Sequence, residues 1–154
     1  MNGFTFVPIG YVEGGRLAAE KDHWAGNRSR LVLDPARFTP AALAGLSEFS
    51  HVMVMFYFHV DADEGVEFGA RRPRGRADWP EVGIFAQRGR MRPNRIGVSI
   101  AAIEAVEGLE VSVSGLDTIH GTPILDLKPA ISGYAPRGRF FQPDWADALM
   151  ANYW

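Results

Sequence analysis

One stretch decides the fold class of this 154-residue sequence: HVMVMFYFHV, residues 51–60. Its β-branched and aromatic residues favour a β-strand, and apolar side chains occupy both alternating sets of positions. We therefore predict a central strand over residues 51–60 that is buried on both faces.

Shorter apolar segments, separated by glycine and proline turns, predict further strands on both sides of this stretch. They cover residues 4–12, 30–33, 82–86, 96–106, 109–114 and 123–127. Helices are predicted only at residues 41–46, after a Thr39-Pro40 start, and at residues 145–153. Many short strands with a few short helices are typical of barrels, so we predict a mainly β protein. Residues 1–154 should form a single-domain, closed or half-closed β-barrel.

The composition is that of a folded globular protein, with 47% hydrophobic and 22% charged residues. The sequence contains no cysteine, which excludes disulfides, thiolate zinc sites and cysteine nucleophiles. The amino terminus lacks the basic and apolar regions of a signal peptide, and the longest apolar run is too short to span a bilayer. We expect a cytoplasmic protein without a membrane partner.

Positive charge is concentrated in one stretch, residues 71–95, although the whole chain has a net charge of −2. Eight arginines against two acidic residues give this stretch a charge of +6, which leaves −8 for the rest. Guanidinium groups suit bidentate contacts with phosphate or carboxylate, so the stretch is a candidate nucleic-acid-binding surface. A solvated loop is the alternative interpretation.

The common metal and cofactor motifs are missing from the sequence. The four histidines lack metal-ligand spacing, and we predict no metal. Asp61, Asp63, Glu64 and Glu67 resemble a calcium loop only faintly and are interpreted as a solvated turn. No nucleophile elbow, Walker lysine or dinucleotide-binding glycine spacing is present.

Two segments combine glycine, proline and polar groups with strand-like apolar residues. They are GIFAQRGRMRPNRIGVS, residues 83–99, and GLDTIHGTPILDLKP, residues 115–129. Taken alone, each is compatible with ordinary turn chemistry. Together, and in this order, they resemble the signatures of the TsaA-like or TrmO family of β-barrel, S-adenosyl-L-methionine (SAM)-dependent tRNA methyltransferases. The resemblance extends from residue 4 to about residue 134.

This resemblance implies a SAM-binding barrel that works as a homodimer with the cofactor near the subunit interface. The implied activity is N6-methylation of threonylcarbamoyladenosine beside the tRNA anticodon. By position in the family motifs, the residues expected to bind the cofactor are Trp24, Phe58, His59, Val60, Arg88, Val98, Asp117, Thr118, Ile119 and His120.

Three positions depart from the family pattern. Gln87 replaces threonine, Arg95 replaces proline, and His120 replaces an aspartate in the cofactor loop. Longer members of the family carry a further carboxy-terminal domain, so we interpret this chain as a short paralogue. Two alternatives stay open: a different acceptor, either a small molecule or another RNA, and a non-catalytic SAM-binding module.

Methyl transfer to a carbamoylated N6 needs a group that accepts its proton. Asp126 is the candidate, with Lys128 on the same strand face and Asn94 available to hydrogen-bond the acceptor amine. The alternatives are a buried Asp126–Lys128 ion pair that secures the strand, and a role for Asn94 in shaping its turn. Trp24 or Trp79 could stack on an unpaired base or belong to the core.

Overall fold

A computed structural model describes residues 3–60 and 65–154 of the chain. The acidic turn at Asp61, Asp63 and Glu64 lies outside the described residues. The barrel and its accessory ribbon are built from β1 (Gly10–Gly14), β2 (Arg28–Leu33), β3 (His51–Tyr57), β4 (Ala70–Arg71), β5 (Val82–Gly83), β6 (Ile96–Glu107), β7 (Glu110–Ser114) and β8 (Pro123–Pro129). The helix α1 covers Asp144–Met150.

Six of these strands close into a barrel in the order β1-β2-β7-β6-β3-β8. Every neighbouring pair is antiparallel, and β8 pairs with β1 to complete the ring, with Gly10 opposite Ile124. The prediction of a mainly β, closed or half-closed barrel with few short helices is confirmed, and the barrel is closed. The strands β4 and β5 form a separate two-stranded ribbon.

The prediction that residues 51–60 are buried on both faces was wrong. Val52, Val54 and Phe56 point into the barrel and are buried, whereas Met53 and Met55 are only half-buried on the outside. A closed barrel has one interior, so successive side chains of a strand must alternate between inside and outside. The strand also ends at Tyr57, which leaves residues 58–60 free to line a cleft.

Phe56 crosses the interior at a point where β6 carries a glycine. A Cβ on Gly97 would lie 2.3 Å from the Phe56 ring, so a larger residue would force the ring out of place. The core around it consists of apolar side chains from the barrel strands and the adjoining turns: Val12, Leu31, Leu33, Leu43, Val52, Val54, Phe56, Ala101, Val111, Val113, Leu116 and Ile124. Their burial is the main force that holds the barrel together.

Other predicted elements are shorter in the structure. The first strand begins at Gly10 instead of residue 4, and Phe4 and Phe6 before it are exposed. Residues 41–46 form 3₁₀ turns instead of one helix, because Gly45 adopts a left-handed conformation between them. Residues 84–86 are likewise a 3₁₀ turn, and α1 ends at Met150 instead of residue 153. In the part of the chain that is described, no helix combines the length and apolar character needed to cross a membrane.

Candidate functional site

A cleft of about 190 Å³ opens at one end of the barrel. Five parts of the chain line it: residues 19–24, the end of β3 with the residues that follow it, the turn at residues 88–90, the loop of residues 115–122 between β7 and β8, and Tyr153 beyond α1. These parts are distant in sequence, so the barrel topology alone brings them together.

Asn27 holds the loop of residues 115–122 in place. Its side-chain amide donates to the carbonyls of Leu116, at 2.7 Å, and Thr118, at 3.2 Å, and its carbonyl accepts from the backbone N–H of Arg16, at 3.0 Å. The side chain is only 6% exposed. Gly121 turns the end of the loop with φ of +80°, a conformation that glycine adopts without strain. The loop is therefore held rigidly before it meets any ligand.

Two polar atoms at the base of the cleft are buried and have no hydrogen-bond partner among the described residues. They are Asp117 Oδ1 and Thr118 Oγ1. Leaving such a group unpaired costs about 1–3 kcal/mol, and folded proteins rarely tolerate it without reason. Both residues line the cleft, so a bound ligand with hydrogen-bonding groups is the natural partner for these atoms.

Tyr153 fixes the other carboxylate oxygen of Asp117, because its hydroxyl donates to Asp117 Oδ2. The terminal segment is itself anchored by the backbone: His23 N–H donates to Asn152 O at 2.9 Å and Trp24 N–H to Tyr153 O at 2.8 Å. Burial, followed by the nearby Asp117 carboxylate, raises the pKa of the Tyr153 phenol, which keeps it a donor. Sequence reasoning missed both Asn27 and Tyr153, since neither lies in a recognisable motif.

Aromatic rings form the apolar part of the cleft wall. Phe58 meets Phe56 edge to face, with 5.2 Å between ring centroids. Trp24 is buried, and the Arg16 guanidinium lies 4.4 Å from its ring centroid. Trp79, by contrast, is buried against Trp145, at 6.3 Å between centroids, and does not line the cleft.

His59 is the histidine of the cleft wall. Burial lowers the pKa of its imidazole, because removal from water disfavours the charged form. The ring is therefore predominantly neutral at pH 7. Arg88 and Arg90 also line the cleft and are positively charged, and the neutral His59 ring adds no further positive charge to it.

Eight of the ten residues predicted to bind the cofactor line this one cleft: Trp24, Phe58, His59, Val60, Arg88, Asp117, Thr118 and Ile119. Val98 lies on the outer barrel face opposite Met55, and its carbonyl accepts a hydrogen bond from Arg88. His120 is exposed, and its Nδ1 accepts from the Gly14 N–H at 3.1 Å. Neither Val98 nor His120 lines the cleft, and the predicted contact of His120 with the cofactor stays a prediction.

The three predicted catalytic residues lie outside the cleft lining. Lys128 Nζ pairs with Asp126 Oδ2 at 2.6 Å on the outer face of β8, where the two side chains are 59% and 47% exposed. The ion pair proposed as an alternative is thus present, but it is not buried. Asn94 is exposed in a turn that the Arg95 N–H closes on the Arg92 carbonyl, at 3.0 Å.

The arginine-rich stretch is largely engaged in contacts within the protein. Arg74 holds both carboxylate oxygens of Asp22, at 2.7 and 3.0 Å, and its hydrogen bond lowers the pKa of that carboxyl. Arg76 pairs with Asp78 in the same way, at 2.9 and 2.5 Å. Further hydrogen bonds to protein atoms come from Arg71, Arg72, Arg88 and Arg92. These guanidinium groups mainly shape their own loop.

The protein is a small antiparallel β-barrel with a cleft at one end. Polar atoms lie at the base of this cleft, and aromatic side chains form part of its wall. Within the described residues, no group of three metal-ligating side chains accompanies this site. The profile of the family described as the tRNA-methyltransferase O N-terminal domain matches residues 19–135. The chain belongs to this family.

Curated relatives are similar over much of the chain. The chain is 36% identical over 134 residues to a tRNA (adenine(37)-N6)-methyltransferase of Rattus norvegicus, and 39% identical over 111 residues to that of Homo sapiens. These matches cover 82% and 72% of the chain but only 31% and 24% of the relatives. A crystal structure of TrmO from Pseudomonas aeruginosa superposes with a TM-score of 0.72 and 29% identity, over 90% of this chain and 61% of that one.

Proposed function

We propose that the chain is a SAM-dependent methyltransferase that acts on N6 of threonylcarbamoyladenosine beside the tRNA anticodon. The observation that carries the proposal is the cleft, where residues from separate family motifs meet around the unpartnered atoms Asp117 Oδ1 and Thr118 Oγ1. The similarity to the rat and human tRNA (adenine(37)-N6)-methyltransferases supports methyl transfer to N6 of a tRNA adenine. A tRNA substrate also supports a cytoplasmic location.

The residues of the cleft fit the chemical groups of SAM. Asp117 Oδ1 is an acceptor for ribose hydroxyls or the ammonium group, and Thr118 Oγ1 can donate or accept. Arg88 suits the carboxylate, while Trp24 and Phe58 offer apolar contact to the adenine. Bound SAM supplies an electrophilic methyl group on a sulfonium.

The protein's own part in such a transfer is alignment and control of charge. The rigid loop of residues 115–122 fixes the cofactor side, which lowers the entropy cost of reaching an in-line arrangement. Burial lowers the pKa of His59, so its imidazole would add no positive charge to a cleft that held a sulfonium. Both features act before the acceptor arrives.

The acceptor must lose a proton as its N6 gains the methyl carbon, while the sulfur keeps the electrons of the broken C–S bond. We propose Asp126 as the group that takes this proton, with Lys128 holding the carboxylate and Asn94 orienting the acceptor. In one protomer these residues lie outside the cleft, so the proposal requires a second protomer.

We therefore propose a homodimer whose interface includes the outer face of β3 and β6. Met53 lies opposite Ile100 and Met55 opposite Val98, and these partly exposed apolar pairs run beside Asp126 and Lys128 on β8. Covering them would remove apolar surface from water, which is favourable. The proposal requires that this dimer place Asp126 against the cleft of the other subunit.

The deciding experiment is transfer from labelled SAM into tRNA that already bears threonylcarbamoyladenosine, followed by nucleoside mass spectrometry. The expected result is a methylated nucleoside. Asp126→Asn should keep SAM affinity and lose transfer, whereas Arg88→Ala should lose SAM binding. If wild type binds SAM but methylates no tRNA, the acceptor is different or the chain is a SAM-binding module.

A further inference from the structure

The segment of residues 131–143, ISGYAPRGRFFQP, is exposed along its whole length. Four large apolar side chains are on its surface, including Tyr134 at 87% and Phe141 at 84% exposure, besides Ile131 and Phe140. Isolated apolar residues on a surface need no explanation, but a concentration of rings in one segment marks an interaction surface.

This segment also carries free positive charge. Arg137 and Arg139 make no hydrogen bond or ion pair with any described residue, unlike the engaged arginines of residues 71–95. No acidic residue occurs between Asp126 and Asp144. Arg137 and Arg139 can therefore contact a phosphate without first breaking a contact inside the protein. The hydrogen-bonded arginines of residues 71–95 cannot.

Three rings and two guanidinium groups lie close together along the segment, with the rings at residues 134, 140 and 141 and the arginines at residues 137 and 139. Unpaired RNA is bound by stacking of bases on aromatic and arginine planes, with further arginines on the phosphates. Gly138, with φ of +82°, gives the backbone between the two arginines a sharp turn. The combination matches the chemistry of single-stranded RNA better than that of an acidic or purely apolar partner.

The segment is joined directly to the wall of the cleft. It leaves the barrel at Ala130, whose N–H donates to His51 O at 3.0 Å, and continues into α1. Trp145 of that helix packs on Trp79, and Tyr153 beyond it lines the cleft. RNA held by the segment would thus be tethered to the same structural unit that completes the cofactor site.

We propose that residues 131–143 bind the unpaired nucleotides that flank the target adenosine, and that this segment, more than residues 71–95, provides the RNA contact. The proposal rests on the function proposed above, because it assumes an RNA substrate.

The test measures binding of an anticodon stem–loop RNA by fluorescence anisotropy at several salt concentrations. Phe140→Ala with Phe141→Ala should weaken binding by about 10-fold or more, since each stacked base contributes strongly. Arg137→Gln with Arg139→Gln should reduce the salt dependence by roughly one to two ion equivalents. Both variants should keep the SAM affinity of wild type, because none of the four residues lines the cleft.

Matched controls remove the same groups elsewhere on the surface. Phe4→Ala with Phe6→Ala deletes two exposed rings, and Arg28→Gln with Arg30→Gln deletes two charges on the barrel wall. Equal effects in control and test variants would overturn the proposal. So would a change of oligomeric state with unchanged RNA affinity, because the segment would then be a contact between subunits.

The result also separates this proposal from the proposed function. If wild type methylates tRNA and the segment variants do so with unchanged KM for the RNA, only the segment assignment fails. If wild type binds SAM but neither binds nor methylates the RNA, both fail together.

Discussion

The cleft contains the carboxylate of Asp117, and the outer face of β8 carries the carboxylate of Asp126. The two carboxylates differ in their hydrogen-bond partners. Asp117 is partly buried, with one oxygen held by Tyr153 and the other without a described partner. Asp126 is half-exposed, and its two oxygens accept from the Leu127 N–H and from Lys128. A buried unpaired oxygen costs stability and so points to a ligand, whereas an exposed ion pair contributes about 0–1 kcal/mol and points to nothing by itself.

The largest expected difference is in SAM affinity, between a variant that lacks the Asp117 carboxylate and one that lacks the Asp126 carboxylate. Asp117→Ala is expected to weaken SAM binding about 100-fold, since hydrogen bonds to a charged group are worth about 1.5–3 kcal/mol. Isothermal titration calorimetry with SAM measures the change. Asp126→Ala is the matched control and should leave the SAM affinity within about two-fold of wild type. Similar losses in both variants would show that Asp117 has no special place in the cofactor site.

Replacing Asn27 tests whether its side-chain amide holds the loop of residues 115–122 in place. Asn27→Leu leaves two loop carbonyls and the Arg16 N–H without their partner. We expect the free energy of unfolding to fall by about 2–4 kcal/mol, measured by urea denaturation. Asn94→Leu, at an exposed turn, should change it by less than about 0.5 kcal/mol. An Asn27 variant as stable as the Asn94 variant would contradict the role assigned to this amide.

Some of these residues were predicted from the sequence and others were not, and the difference has a physical reason. Many short apolar segments predicted a closed or half-closed barrel. The family resemblance predicted eight residues of the cleft, four of which, Arg88, Asp117, Thr118 and Ile119, lie in the two motifs. Asn27 and Tyr153 escaped prediction because they act across 89 or 91 residues and 36 residues of sequence, respectively, through contacts that only the folded barrel creates. The arginine stretch is a different case: its residue types suit phosphate, several of its guanidinium groups make internal pairs in the structure, and its contact with tRNA stays a prediction.

A smaller effect on SAM affinity is expected when only the hydroxyl group of Tyr153 is removed. Tyr153→Phe removes the donor to Asp117 but keeps the ring, so SAM affinity should fall by about 3- to 10-fold. The decisive measurement is a double-mutant cycle with Asp117→Asn, in which the two losses should not add. Tyr134→Phe, at an exposed ring, is the control and should have no effect. Fully additive losses would mean that Tyr153 acts on the cleft without going through Asp117.

The smallest effect concerns pH and compares the two ends of β3, with His59 just beyond it in the cleft and His51 at its exposed start. Burial holds the pKa of folded His59 below its ordinary value of 6.5. The unfolded chain therefore binds a proton at this site before the native state does, so the stabilising contribution is complete above about pH 6.5 and is lost as pH falls through the lower, folded value.

Thermal unfolding of His59→Gln should accordingly depend less on pH below 6.5 than unfolding of wild type does. The same replacement should flatten the acid decline of SAM affinity, because a protonated ring would repel the sulfonium. For SAM affinity, His51→Gln should follow the wild-type profile, because His51 lies outside the cleft. If His59→Gln also followed it, the imidazole would already be hydrated in the native state, and the cleft would be wetter than a wall of Phe58 and Trp24 implies.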